Sequence, residues 1–220
     1  MPSEKIEDYL KAVLLIGGER GRATTGTLAT RLGVSPAAVS EMLQRLAARR
    51  PAWVRYEKRR GASLTAAGRE RALEILRHHR LVETFLHRTL GYSWDRVHEE
   101  ADKLEHAISE EFEDRIADQL GNPTTDPHGH PIPAKDGSLP RLVLVPLAEL
   151  PAGGRATVAQ VSDDDPEFLR YVGGLGLFPG VSVRVKEVAP FDGPITLRAG
   201  RDLHTLGREA ARHILVRDVA

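Results

Sequence analysis

The chain contains no cysteine, which excludes disulfides and thiolate metal sites and leaves the redox environment unspecified by that criterion. No apolar run approaches the roughly 18 residues needed to cross a bilayer. Met1-Pro2-Ser3-Glu4-Lys5 leads into an amphipathic helix and lacks a signal-peptide core. No membrane partner is therefore expected, and the cytoplasm is the expected location. There is no serine nucleophile elbow, P-loop or dinucleotide fingerprint, and Gly173-Gly174-Leu175-Gly176 lacks a phosphate-cradling context. Net charge is absent too: 31 Lys/Arg balance 31 Asp/Glu, which by itself suggests no polyanionic partner.

That zero conceals opposite regions. Residues 1–73 carry 14 Lys/Arg against 7 Asp/Glu, residues 74–120 carry 6 against 12, and residues 121–220 carry 11 against 12. A basic module followed by an acidic one is the footprint of nucleic-acid binding joined to cation binding. At 220 residues, two or three small domains are expected.

The basic module has a readable architecture. In Thr24-Thr25-Gly26-Thr27-Leu28-Ala29-Thr30-Arg31-Leu32-Gly33-Val34, the apolar residues form one face of a short helix and Gly33 permits a tight turn. Ser35 followed by Pro36 is a helix start, an N-cap with proline at the first helical position. The second helix is expected to run to about Ala48, with Val39, Met42, Leu43 and Leu46 inward and Ala37, Ser40, Glu41, Gln44 and Arg45 outward. Two short helices so spaced read as a helix-turn-helix. Trp53–Glu57 and Ala62–Thr65 then alternate like strands around Lys58-Arg59-Arg60-Gly61, a wing with three cations at its tip.

In the acidic module, His79 and Glu83 stand at i, i+4, while His98, Asp102, Glu105 and His106 stand at i, i+4, i+7 and i+8. On a helix these offsets return to one side. Imidazole and carboxylate without thiol suit a hard or borderline divalent ion, and a solvated polar stripe is the plainer alternative. The helices are expected to end near Leu120-Gly121. Residues 121–140 hold five prolines and three glycines and read as an extended connection, in which His128 and His130 could bind metal but read first as turn residues. Beyond it, 143–145, 155–161, 181–185, 194–198 and 213–217 read as short strands of a small barrel, with one short helix within 168–177.

These residues resemble the diphtheria-toxin-repressor (iron-dependent repressor) family, and within it the manganese transport regulators. The likeness is carried by Ile6-Glu7-Asp8-Tyr9-Leu10, the winged helix, His79-Arg80-Leu81-Val82-Glu83, residues 98–106, and Asp126-Pro127-His128-Gly129-His130-Pro131-Ile132-Pro133. The resemblance implies a mostly α winged helix-turn-helix and helical dimerisation region followed by a small all-β SH3-like barrel. Its expected divisions are 1–73 for DNA binding, 74–120 for metal binding and dimerisation, 121–140 as linker and 141–220 as the SH3-like (FeoA-like) domain. It implies a primary metal site of Asp8, Asp102, Glu105 and His106, and an ancillary site of His79, Glu83 and His98. Within Ser162–Glu167, Asp164 and Glu167 fit best as further ligands, at i, i+3. Iron-type members have cysteine in place of Asp102 and methionine in place of Asp8, and some manganese regulators have glutamate in place of Lys11.

Carboxylates with few imidazoles favour Mn2+ first and Fe2+ second. The implied protein is a homodimer that binds a palindromic double-stranded DNA operator and represses metal-uptake genes when metal-loaded. Expected DNA contacts are Ser35, Pro36, Ala37, Ser40, Glu41 and Gln44 near bases and Arg45, Arg49, Lys58, Arg59 and Arg60 at phosphates. Two other classes use some of the same features: a dinuclear metal hydrolase and a structural dimer with a peptide-binding barrel.

Overall fold

The computed structural model describes residues 3–18 and 21–220, so Met1 and Pro2 of the expected N-terminal lead lie outside the described residues. Contacts divide the chain into two units. The first comprises Met1–His79, Leu104–Glu110 and Pro133–Ser138, and the second Arg80–Lys103, Glu111–Ile132 and Leu139–Ala220.

The first unit begins with helices α1 (Glu4–Gly17), α2 (Thr25–Leu32) and α3 (Pro36–Ala48). Local chemistry sets their ends. The Thr24 hydroxyl accepts from the Thr27 N–H at 3.1 Å, and the Ser35 hydroxyl accepts from the Ala38 N–H at 3.2 Å. Gly33 closes α2 at φ 63°, a left-handed conformation that glycine adopts without a Cβ clash. Val39, Met42, Leu43 and Leu46 of α3 are buried, as their spacing predicts, against Tyr9, Leu10 and Val13 of α1 and Leu28 of α2. Each such side chain contributes about 1.5–3 kcal/mol of hydrophobic stabilisation.

Strands β1 (Val54–Glu57) and β2 (Gly61–Leu64) form the wing, with Glu57 opposite Gly61. Ala23 adds a third rung by bridging to Ala62. At Gly61, φ is 86° and a Cβ would lie 2.2 Å from the Ala23 carbonyl oxygen. Only glycine lets the two backbones meet there. Helix α4 (Ala66–Arg88) continues without a break across the expected 73/74 boundary, and the division between units falls within it.

In the second unit, the rest of α4, helices α5 (Val97–Leu104, whose last residue belongs to the first unit) and α6 (Glu110–Gln119) precede a small β domain. Leu81, Ile116, Ala117 and Ile132 form a minor core. Strands β3 (Val145–Pro146), β4 (Arg155–Val161), β5 (Ser182–Val188), β6 (Ile195–Ala199), β7 (Asp202–Leu206) and β8 (Ile214–Arg217) make one antiparallel sheet in the order β3-β8-β4-β5-β6-β7. Helices α7 (Pro166–Gly174) and α8 (Arg208–Arg212) accompany it, and Trp94 joins its core with Leu147, Val158, Leu169 and Leu197.

Three sequence expectations change. The stretch at 143–145 is strand only from Val145, and Val143 is 88% exposed. Edge strand β7 escaped the alternation test because Leu206 is its one buried residue and Leu203 faces outward. Helix α5 stops at Leu104, so the metal-ligand stripe does not stay on one helix, and Glu105 and His106 lie in a turn. Among the described residues, no helix is long and apolar enough to cross a membrane.

Candidate metal centre and nucleic-acid interface

Glu105 and His106 leave the helical stripe because they are held by α1. In the first unit, the Lys11 ammonium donates to both carboxylate oxygens of Glu105 at 2.7 and 2.8 Å. His79 Nδ1 lies 2.5 Å from Glu105 Oε2. His106 donates from Nδ1 to Glu7 at 2.7 Å and from Nε2 to Asp8 at 3.0 Å. Glu7 is buried and also pairs with Arg71. Donating from both ring nitrogens requires the imidazolium form. The Asp8 carboxylate is the main cause that pushes the His106 pKa up to about 9, with burial opposing it and Glu7 and Glu105 adding to it.

Asp8, Glu105 and His106 bring three ligand atoms within 4.8 Å of one another. Oxygen and imidazole donors without sulfur fit a divalent ion of the manganese or ferrous class. The ion would take the place of the shared protons and of the ammonium charge.

A second group occupies the second unit. Asp126 Oδ1 accepts from the backbone N–H of His128 and His130 at 2.8 and 2.9 Å, which curls the segment into a turn. At Gly129, φ is 89° and a Cβ would lie 1.9 Å from the Ala159 carbonyl oxygen, so the turn seats directly on β4. The Val161 N–H donates to the His128 carbonyl at 3.0 Å and secures it. His128 is fully buried and donates from Nε2 to the Trp94 carbonyl at 2.7 Å.

That bond commits Nε2 as a donor, and Nδ1 has no hydrogen-bond partner. It faces Glu83 Oε1 at 3.9 Å and Asp163 Oδ2 at 4.0 Å. His130 Nδ1, also without a hydrogen-bond partner, lies 3.4 Å from Asp126 Oδ2 and 3.5 Å from Asp163 Oδ2. Burial pulls the His130 pKa down, but Asp126 and Asp163 outweigh it and the net shift is upward. Burial raises the Asp163 pKa, and the surrounding imidazoles more than reverse that. Buried imidazole nitrogens without hydrogen-bond partners, facing carboxylates, suit a cation between them. Asp126, His128, His130 and Asp163 place four ligand atoms within 4.8 Å of one another, so this donor set fits a metal as well.

The sequence-derived ligands are thus distributed unevenly. Asp8, Glu105 and His106 come together in the first unit, which also holds His79. Asp102 belongs to the second unit, exposed on α5, 3.8 Å from His98 Nε2. Glu83 and His98 also belong to the second unit, with His98 Nδ1 3.0 Å from Glu83 Oε1 and 3.7 Å from Asp163 Oδ2. Asp164 accepts from the Ser162 hydroxyl at 3.4 Å and is not among the grouped ligands. Asp165 caps α7 by accepting from the Glu167 N–H, and the Glu167 side chain is 89% exposed. The member of that acidic turn that reaches the imidazoles is Asp163. Reading His128 and His130 first as turn residues ranked their metal-binding alternative second, although Asp-Pro-His-Gly-His carries three potential ligands in five residues.

On the nucleic-acid side, Ser35, Pro36, Ala37, Glu41, Gln44 and Arg45 are exposed on α3 or its start. Ser40 is half-buried and bonded to the Pro36 carbonyl and the Tyr56 hydroxyl. The Arg49 guanidinium sits 3.9 Å above the Trp53 ring. Lys58, Arg59 and Arg60 are exposed at the wing tip, where Arg59 has φ 72°.

Comparison with known proteins fits both features. Residues 1–62 match the family described as iron dependent repressor, N-terminal DNA binding domain. Residues 65–134 match iron dependent repressor, metal binding and dimerisation domain, and residues 145–218 match the FeoA domain. The iron-dependent repressor IdeR of Mycobacterium leprae (strain TN) is 33% identical over 225 residues, covering 97% of this chain and 96% of that protein. The HTH-type transcriptional regulator MntR of Lysinibacillus sphaericus (strain C3-41) is 33% identical over 118 residues, 54% of this chain and 83% of that one. A solved manganese-dependent transcriptional repressor in complex with manganese superposes with a TM-score of 0.88 at 39% identity, covering 96% of this chain and 98% of its own.

Proposed function

Because the chain belongs to the iron-dependent repressor family, we propose that it is a homodimeric, metal-responsive repressor of double-stranded DNA, with manganese as its activating ion and ferrous iron as the second candidate. The relatives that span the chain are transcriptional repressors rather than enzymes, and the hydrolase alternative falls away with them. Acting on DNA, the protein would work in the cytoplasm. The observation that carries the metal reading is the attachment of Glu105 and His106 to α1 through Lys11, Glu7 and Asp8.

A divalent ion bound by Asp8, Glu105 and His106 would supply the positive charge that these donors otherwise obtain from protons and Lys11. The chain's own packing couples that site to the reading helix. Asp8 stands on α1, whose Tyr9, Leu10 and Val13 share one core with Val39, Leu43 and Leu46 of α3. Close-packed cores transmit displacements rather than absorb them, so the position of α1 biases the presentation of α3. Asp126, His128, His130 and Asp163 would hold a second ion, with Glu83 and His98 beside them. Metal favours the DNA-reading state only by its differential affinity for it.

In this reading, Ser35, Ala37, Glu41 and Gln44 face base edges, while Arg45, Arg49, Lys58, Arg59 and Arg60 face phosphates. A dimer formed through the metal-binding and dimerisation region would meet two half-sites of a palindromic operator. The test is an electrophoretic shift on operator DNA with and without Mn2+, using wild type and Asp8→Asn. Wild type should bind tightly only with Mn2+. Asp8→Asn should fold and dimerise but lose most of the metal-dependent tightening. By reciprocity, operator DNA should no longer raise its Mn2+ affinity. Coupling that survives in Asp8→Asn would remove Asp8 from the mechanism.

A further inference from the structure

We infer that Arg22 and Arg60 form a phosphate-binding pair on the flank of the wing, which the carboxylate of Glu57 occupies in the free protein. The inference rests on the DNA-binding reading above and adds a contact and a restraint to it. Arg22 Nη2 lies 2.6 Å from Glu57 Oε1, and Arg60 Nη1 lies 3.1 Å from Glu57 Oε2. One carboxylate therefore gives one oxygen to each of two guanidinium groups. The two non-bridging oxygens of a phosphodiester can make the same pair of charge-assisted bonds.

The backbone explains how a residue before α2 reaches the wing. Ala23 pairs with Ala62 of β2, so Arg22 enters the sheet as the start of a third strand beside β2, while Glu57 ends β1 on its far side. The antiparallel Ala23–Ala62 bridge places Arg22 level with Ser63 of the middle strand, while Gly61, two residues before Ser63 on the same face, lies opposite Glu57. Gly61 has no side chain to stand between them, and the Arg22 side chain reaches diagonally across the sheet to Glu57.

Stability does not account for the arrangement. The side chains of Arg22, Glu57 and Arg60 are 27%, 49% and 75% exposed, and ion pairs in such settings are weak and screened by salt. Hydrogen bonding to Arg22 holds the Glu57 carboxyl below its usual range, and the same bond raises the Arg22 pKa. Glu57 therefore remains charged wherever DNA binding is measured. It reduces the two positive charges of Arg22 and Arg60 to a net single positive charge and opposes approach of the polyanion. A phosphate that bridges the two arginines must displace it. Glu57 is accordingly a positioning residue that holds both guanidiniums in register while lowering affinity for DNA of any sequence.

The test uses manganese-loaded full-length protein and a duplex of random sequence, with binding followed by fluorescence anisotropy across a sodium chloride series. Arg22→Ala should lower the salt slope by about 0.9, a change of roughly 3.5-fold in relative affinity over a four-fold salt range. Arg22→Lys, which keeps the charge, should retain the slope. Glu57→Gln should tighten random-sequence binding several-fold and steepen the slope, and most of that gain should vanish in the Arg22→Ala background. An unchanged slope in Arg22→Ala overturns the pair. Weaker binding by Glu57→Gln overturns the restraint and leaves Glu57 as a wing brace only. Absence of any DNA binding by wild type would instead sink the DNA-binding reading itself, an outcome distinguishable from both.

Discussion

Lys11 Nζ donates to both carboxylate oxygens of Glu105, at 2.7 and 2.8 Å, across 94 positions of sequence. The lysine is 13% exposed and the glutamate 1%. A carboxylate buried this deeply needs a compensating cation, and the ammonium supplies it from α1. Lys11 thereby ties the turn after α5 to the helix that carries Asp8, and in the proposed metal-bound state it would compete with the ion for the same oxygens.

Lys11→Met should consequently destabilise the metal-free protein by about 1–3 kcal/mol, since a buried charged group loses a partner while His79 still supports it. Manganese should recover more stability in the variant than in wild type. Thermal denaturation with and without Mn2+ measures both. An equal metal-induced shift in the two proteins would mean that Lys11 does not compete for Glu105.

The proton on His106 gives a pH dependence of fixed sign. Its pKa in the folded, metal-free protein is raised to about 9 from an ordinary 6.5. Its contribution to stability is fully present below about 6.5 and is lost as pH rises through about 9. Metal requires the deprotonated ring, so Mn2+ affinity should climb with pH across that window, with up to one proton released per ion bound. Calorimetry in buffers of different ionisation enthalpy counts that proton. His106→Gln should abolish both the release and the slope, and a flat profile in wild type would exclude His106 as a ligand.

The group around His128 makes a prediction about stoichiometry. His128→Ala should remove one bound Mn2+ per chain in equilibrium dialysis, while Asp8→Asn leaves that ion in place. Gly129→Ala should have a similar effect without touching a ligand, because its Cβ would lie 1.9 Å from the Ala159 carbonyl and φ is 89°. Full metal content in His128→Ala would return His128 to the role of a buried histidine bonded to Trp94.

Much of the winged helix was legible because its determinants are local. Thr24 and Ser35 cap helices within three residues of themselves, Gly33 ends one at its own position, and the α3 core residues keep a helical period. The wing could be read from alternation around a basic turn. The approximate extent of the β domain was similarly visible, though not edge strand β7, because an edge strand buries too little to leave a pattern.

The sequence by itself determined which side chains are available as ligands: many carboxylates, nine histidines and no thiol. It also determined where helices and strands begin, because caps, turns and periodicity act over a few residues. Tertiary structure decided which ligands meet. Glu7 reaches His106 across 99 positions and Lys11 reaches Glu105 across 94, while Asp163, rather than Asp164 or Glu167, joins His128 and His130. In an acidic turn the side chains share composition but point in different directions. Asp165 is committed to capping α7, Glu167 projects outward from the first turn of that helix, and Asp163 faces the imidazoles. Direction depends on where the helix packs, and that is set by contacts between residues far apart in the chain.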